Sequence, residues 1–138
     1  MKTRAQANTR CIVTEIYPSR HPSNPSLRTA LLHLGEERDM RQIVVGDHYS
    51  EGQLGFFIPE GSIVPDKLAD EMLVLGRLGG KKKNRVLKRR MDGVLSDGLF
   101  YGSQGASWNP KWIIGQDVTE EVGVIPPLSN EENTRRSR

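Results

Sequence analysis

Residues 85–102, with the sequence RVLKRRMDGVLSDGLFYG, combine dense positive charge with the apolar punctuation of packed β-structure. A disordered basic tail lacks such apolar positions, so the stretch predicts cations carried on a folded strand surface. One strand is predicted to begin at Val86 and to be interrupted at Gly93. A last strand is predicted over Gly98–Gly102.

The positive charge of the chain is concentrated next to this stretch. Eight of the 20 lysines and arginines lie between residues 76 and 91, where there is no acid. The rest of the chain then holds 12 cations against 17 acids, so a net charge of +3 hides an acidic body with one positive patch. Such segregation predicts a polyanionic partner, with nucleic acid first.

Length and composition predict one soluble globular domain. The chain has 138 residues, of which 36% are hydrophobic and 27% are charged. A chain of this length can bury a hydrophobic core without disulfide or metal cross-links. No apolar run approaches the roughly 20 residues that cross a bilayer, and the N-terminal MKTRAQANTR lacks the apolar region of a secretory signal. We therefore expect no membrane association and a cytoplasmic location.

The metal-binding and redox residue types are sparse. A single cysteine, Cys11, excludes an internal disulfide and a multi-cysteine zinc site, and its apolar neighbours predict a buried strand thiol. His21, His33 and His48 have no metal-ligand spacing, so they are expected to be surface or strand residues. The sequence predicts no metal and no cofactor.

The pattern of elements predicts a mainly all-β domain. Residues 1–9 are expected to be flexible, residues 10–127 to form the domain and residues 128–138 to be a disordered tail. Five or six short strands broken by glycine and proline, with one inserted helix and a short C-terminal helical turn, predict a small closed or nearly closed β-barrel. The expected strands are 11–17, 27–34, 41–45, 52–59, the one from residue 86 and 98–102, with a proline-rich loop at 18–26, a turn at 35–40, a helix at 66–75, a flexible basic loop at 79–84 and the helical turn at 117–122.

The sequence contains no intact catalytic motif. Arg90-Met91-Asp92-Gly93 is one substitution from the Lys-x-Asp-Gly signature of nucleotidyltransferases, but arginine stays protonated and cannot attack a phosphate. There is no P-loop, no GxSxG and no dinucleotide-binding glycine pattern. The chain is therefore predicted not to be an enzyme.

The candidate binding residues are cations for a phosphate backbone and aromatic rings for bases. Phe56, Phe57 and Phe100 are expected in the core, and Trp112 is left open between base stacking and covering a barrel end. The predicted nucleic-acid-binding residues are Arg77, Lys81, Lys82, Lys83, Arg85, Lys88, Arg89, Arg90, Tyr101 and Trp108.

Four ordered blocks carry a family resemblance: VGD at 45–47, EGQLGFFIPEGSIVP at 51–65, RVLKRRMDGVLSDGL at 85–99 and GQDVTEEVGV at 115–124. Residues 10–127 resemble the N-terminal OB-fold domain of ATP-dependent RNA ligases, which precedes a catalytic nucleotidyltransferase domain. A weaker likeness links them to OB-type tRNA-binding modules of synthetases. The resemblance implies an OB-like domain without the catalytic domain, so ligase activity is not carried over.

Two classes of function remain open on these grounds. One is a stand-alone OB-fold nucleic-acid-binding module, an RNA-handling or repair accessory with RNA favoured over DNA. The other is a protein-interaction or assembly subunit that uses the barrel as a scaffold. The non-catalytic half of a split RNA ligase, with a separate nucleotidyltransferase as partner, would combine both.

Overall fold

The computed structural model describes residues 9–34 and 40–127. The predicted disordered tail, and nearly all of the predicted N-terminal segment and of the turn at 35–40, lie outside the described residues. Most elements are strands, which confirms the all-β prediction. They are β1 (Ile12–Ile16), β2 (Ser19–Arg20), β3 (Leu27–His33), β4 (Met40–Gly46), β5 (Gln53–Pro59), the helix α1 (Asp66–Glu71), β6 (Arg89–Met91), β7 (Val94–Ser96) and β8 (Gly98–Gly102).

The strands form two antiparallel sheets and a hairpin. The first sheet has the order β1-β5-β8 and the second β2-β3-β4, while β6 pairs with β7. β1 packs near β3, and β4 packs near β8, so the two sheets contact each other at both sides. The described strands nevertheless do not join into one continuous closed ladder.

The first sheet is buried on both faces. One face carries Ile16, Phe57 and Phe100, which pack on the residues of β3 and β4 that point inward. The other carries Phe56 and Tyr101, which pack on α1 and on the C-terminal part of the described chain. Burial on both faces explains why β5 reads as a continuous apolar run, LGFFIP, rather than as an alternating strand.

The core leaves no space beside the central strand. A Cβ on Gly55 would lie 2.3 Å from the Phe100 ring and 2.4 Å from the Tyr101 carbonyl oxygen. Pro59 is the last residue of β5, in line with the sequence-based expectation that proline sits at a strand end.

Side chains attach the β6–β7 hairpin to the second sheet. The Val44 amide of β4 donates to Ser96 Oγ at 3.0 Å, and the Gln42 amide donates to Asp97 Oδ2 at 3.0 Å. The Asp97 amide returns a bond to the Gln42 carbonyl at 2.8 Å. The hairpin that carries Arg89 and Arg90 is therefore held against β4 without a regular ladder.

The helix is shorter than predicted. It ends at Glu71 instead of residue 75, because Leu73 adopts the left-handed conformation with φ 62°. The Val74 amide donates to the Ala69 carbonyl at 2.9 Å and the Leu73 amide to the Asp70 carbonyl at 3.1 Å. This is the Schellman pattern of helix termination, with leucine where glycine is usual.

Two other sequence-based expectations need correction. The strand expected from Val86 begins at Arg89, because Val86 is instead hydrogen-bonded to Gly61 and Ser62. The proline-rich loop contains the two-residue strand β2. The short helical turn expected at 117–122 agrees with the structure, in which the Val122 amide donates to the Val118 carbonyl at 3.1 Å.

The predictions for Cys11 and the histidines have mixed outcomes. Cys11 is fully buried just before β1, as expected, and burial raises the pKa of its thiol to about 12. His21 is buried, not a surface or strand residue. Its Nδ1 accepts the Ser23 and Asn24 amides at 3.0 Å, which leaves Nε2 to donate to the Met91 carbonyl at 2.9 Å. Across the described residues, no group of histidine, cysteine and acidic side chains could hold a metal ion.

Candidate nucleic-acid interface

The predicted cations all project into solvent. We call them the basic segment: they share exposed side chains and lie between α1 and the tip of the β6–β7 hairpin. The members are Arg77, Lys81, Lys82, Lys83, Arg85, Lys88, Arg89 and Arg90.

A tight turn presents the three lysines. The Gly79 amide donates to the Arg85 carbonyl at 2.8 Å, and the Arg85 amide donates to the Gly79 carbonyl at 3.0 Å. Lys83 has φ 57° inside this closed turn. The lysines thus lie on a hydrogen-bonded loop with a defined conformation.

Backbone carbonyls orient three of the arginines. Arg85 donates to the Gly61 carbonyl at 2.9 Å, Arg89 to the Arg77 carbonyl at 2.6 Å and Arg90 to the Gly93 carbonyl at 3.2 Å. A carbonyl fixes the guanidinium without neutralising its charge. Each guanidinium also keeps N–H donors for an outside acceptor.

Ion pairs are almost absent from the basic segment. In the part of the chain that the structure describes, Lys88 is the one member with an acid partner, Glu60 at 4.0 Å, and both side chains are about half exposed. Such an exposed pair contributes little. The charge of the basic segment is therefore available to an external anion.

The near-miss adenylation motif is a hairpin turn. Asp92 and Gly93 join β6 to β7 with φ values of 50° and 91°, as a two-residue turn of the I′ type requires, and Asp-Gly is a favoured pair for it. The Ser23 hydroxyl donates to the Asp92 carbonyl at 3.0 Å. The sequence Arg90-Met91-Asp92-Gly93 therefore has a structural explanation.

Tyr101 is a wrong choice as a stacking platform. Its side chain is 3% exposed, and its ring stacks on Phe56 with centroids 5.0 Å apart. Its hydroxyl donates to the Glu71 carboxylate, and burial together with that carboxylate raises the pKa of Tyr101. The face of the first sheet that carries Tyr101 is covered by α1 and by the C-terminal part of the described chain, so an external base cannot reach this ring.

The two tryptophans lie together on the same side of the core. Trp108 is partly buried and packs edge-on against Trp112, with centroids 4.9 Å apart and planes at 85°. Trp112 is buried and donates its indole N–H to Glu121 at 2.7 Å. Trp112 thus covers the core, while Phe56, Phe57 and Phe100 are core residues as predicted.

A cavity of about 420 Å³ borders the basic segment at Arg77 and Arg89. Its lining includes His48, Tyr49 and Phe100, whereas neither Tyr101 nor Trp108 contributes. Sequence reasoning missed His48 and Tyr49. Their position directly after β4 was the available signal, since residues at strand ends commonly line binding sites.

The fold matches solved chains of an RNA ligase from Naegleria gruberi. A variant solved with ATP and Mn gives a TM-score of 0.71 at 16% identity and covers 88% of this chain and 36% of that chain. A variant with AMP and Mn gives 0.70 at 15%, covering 91% and 36%. The ligase with PPi gives 0.65 at 18%, covering 91% and 37%.

These matches show a shared fold with part of an RNA ligase. This chain spans about a third of the length of the ligase chains. No family model matches the sequence, and no curated protein matches it. Among the described helices, none is long and apolar enough to cross a membrane.

Proposed function

We propose that this chain is an OB-like nucleic-acid-binding module that handles RNA beside a separate catalytic protein. The observation that carries the proposal is the basic segment, in which eight cations are exposed and one of them, within the described residues, has an acid partner. Phosphates are the anions that such a surface binds with the largest gain, because each contact releases condensed counterions. The fold likeness to part of an RNA ligase favours RNA as the nucleic acid.

The proposed role is accessory rather than catalytic. Arg90 occupies the position that a nucleotidyltransferase lysine would take in the motif, and the Asp92-Gly93 pair serves the hairpin. A guanidinium remains protonated and is a poor nucleophile. RNA joining would then require a partner that supplies the lysine.

Binding is tested by fluorescence anisotropy with single-stranded RNA, structured RNA and DNA of the same sequence. If three to five phosphates are neutralised, affinity for single strands should fall about 20- to 100-fold between 50 and 200 mM salt. RNA should bind more tightly than DNA. Absence of binding to every oligonucleotide at low salt would sink the proposal.

A matched pair of charge reversals separates a specific surface from overall charge. Lys88→Glu with Arg90→Glu changes the net charge as much as Lys67→Glu with Lys111→Glu, and all four residues are exposed. The first pair should remove binding, since it places acids within the basic segment. The second pair should lower affinity by about threefold or less, and equal losses would contradict the assigned surface.

A second candidate function is protein assembly, favoured by exposed apolar side chains away from the basic segment. Ile113 and Ile114 are 68% and 54% exposed on consecutive positions. A protein partner captured from native extract and retained after nuclease treatment would support this function. A separate nucleotidyltransferase as that partner would join both candidates.

A further inference from the structure

The cavity beside the basic segment has the size of a small-molecule site. Its volume is about 420 Å³, within the range of about 300 to 1,000 Å³ that is common for ligand pockets. It lies between the β4 and β8 strands, the chain after α1 and the approach to the β6–β7 hairpin. The cavity adjoins the basic segment, because Arg77 and Arg89 belong to its lining.

Aromatic rings form one wall of this cavity. The His48 and Tyr49 rings are 4.3 Å apart, and Tyr49 meets Phe100 edge-on at 5.6 Å. The Tyr49 hydroxyl donates to the Phe100 carbonyl at 3.5 Å, which helps to hold the ring in this wall. Such a wall suits a planar group with polar edges.

Two exposed leucines also line the cavity. Leu87 is 44% exposed and Leu73 is 82% exposed. Leu73 also holds a left-handed backbone, which is unfavourable for a branched side chain. An exposed apolar residue retained in a strained conformation points to contact with a ligand.

Two arginines complete the site at its charged border. Arg89 donates to the Arg77 carbonyl at 2.6 Å, which ties the two residues together. Within the described residues the Arg77 guanidinium has no hydrogen-bond or ion-pair partner. An anionic group next to the planar one would meet both side chains.

We propose that this cavity binds the base of a nucleotide in a single strand, with the neighbouring phosphate on Arg77 and Arg89. The inference rests on the proposed function and adds a binding site for an unpaired base. A paired base cannot enter such a cavity, because its edge and faces are covered in a duplex. The module would therefore prefer single-stranded nucleic acid.

The test compares an oligoadenylate with an abasic ribose-phosphate chain of the same length, by anisotropy against the whole chain. Base stacking predicts about 5- to 100-fold tighter binding of the oligoadenylate. Equal binding of the two would overturn the proposed base-binding site without contradicting the proposed function. Binding of neither would overturn the proposed function itself.

A matched leucine pair tests the location. Leu87→Gln places a polar group in the cavity wall, while Leu31→Gln alters a leucine of similar exposure on β3 that does not line it. Leu87→Gln should cut the preference for the base-containing oligomer at least threefold, and Leu31→Gln should leave it unchanged. An unchanged preference in Leu87→Gln would overturn the assignment.

Competition distinguishes a strand from a free nucleotide as the source of the base. Displacement of the oligoadenylate by adenosine monophosphate, but not by ribose 5-phosphate, would support base recognition and show that a free nucleotide suffices. Displacement by neither would support a base-binding site that is occupied only when the base belongs to a strand. Equal displacement by both would mean that the phosphate alone is bound and would overturn the inference.

Discussion

Two charged regions of this protein differ in whether their cations are paired with acids. Where β1 begins, Arg10 contacts Asp117 at 2.7 Å and also Glu120, and the Thr119 hydroxyl donates to Asp117 at 2.6 Å. The Cys11 amide donates to that same hydroxyl at 2.8 Å. We call this group the closing cluster, because it holds the C-terminal part of the described chain against β1. The basic segment has no comparable set of acids.

The pKa directions reflect the same contrast. Burial opposes ionisation of Asp117, but hydrogen bonds from Thr119 and Arg10 outweigh it and lower the pKa of that carboxyl. The hydrogen bond to Asp117 is the main cause that raises the pKa of Arg10. Charges satisfied internally stabilise the fold, whereas charges left exposed are available for binding. Substitutions in the two regions should therefore affect different measurements.

The largest loss of stability is expected in the closing cluster. Thr119→Val replaces a fully buried hydroxyl with a methyl group and leaves the Cys11 amide without its acceptor. We expect the free energy of unfolding to fall by about 2 to 3 kcal/mol, as measured by urea denaturation. Thr29→Val, on β3 and partly exposed, is the matched control and should change it by less than about 0.5 kcal/mol. Similar losses in both would contradict the role of the cluster.

A smaller, pH-dependent loss is expected at Glu71, which holds α1 to the loop after β8. Hydrogen bonds from Ser107 and Tyr101 lower the pKa of Glu71 in the folded state. Its contribution is therefore complete above its ordinary pKa and is lost as pH falls through the lowered value. Glu71→Gln should reduce stability at pH 7 and flatten its decline below about pH 4.5, measured by urea midpoints across pH. An acid decline as steep as in the unchanged protein would refute this role, and Glu51→Gln is the exposed control.

A gain of stability is expected from a change at Leu73, which ends α1 and lines the cavity beside the basic segment. Leu73→Gly removes the left-handed strain at the end of α1 and should raise the free energy of unfolding by about 1 kcal/mol. If the leucine serves ligand contact, the same change should weaken binding to oligoadenylate. Leu75→Gly, at a position without positive φ, should not stabilise. A loss of stability in Leu73→Gly would show that its packing outweighs the strain.

The smallest effect on stability is expected in the lysine turn. Replacing Lys81, Lys82 and Lys83 by glutamine should change the free energy of unfolding by less than about 0.5 kcal/mol, because these side chains are exposed. Nucleic-acid affinity should fall and its salt dependence should flatten. Parallel urea and anisotropy titrations check both, and a loss above about 2 kcal/mol would mean that the lysines support the fold.

Much of the strand layout could be predicted from the sequence. The alternation in β1 and β3, and the glycines around β8, are local signals that tertiary contacts did not override. The helix end was missed because its stop signal is a leucine in a glycine conformation. The start of β6 was missed because Val86 makes long-range bonds to residues 61 and 62, which apolar spacing does not encode.

The candidate site was predictable in its charge and not in its shape. All eight cations are exposed as expected, since charge density is a property of the chain itself. The expectation for Tyr101 was wrong because both faces of the first sheet are covered, so Tyr101 is buried on one face just as Phe100 is buried on the other. The cavity wall formed by His48 and Tyr49 could not be predicted, because it depends on the packing of β4 and β8 that brings these residues beside Phe100.

The sequence by itself determined a mainly β domain, a core rich in phenylalanine and a concentrated patch of cations, because composition and short-range periodicity fix these features. Only the tertiary structure decided that the basic segment has a single, weak ion pair, Lys88 with Glu60, among the described residues, while the cation of the closing cluster is paired with acids. It also decided that an aromatic-walled cavity adjoins Arg77 and Arg89. Pairings and cavities arise from residues distant in the chain, so their geometry depends on how the sheets pack.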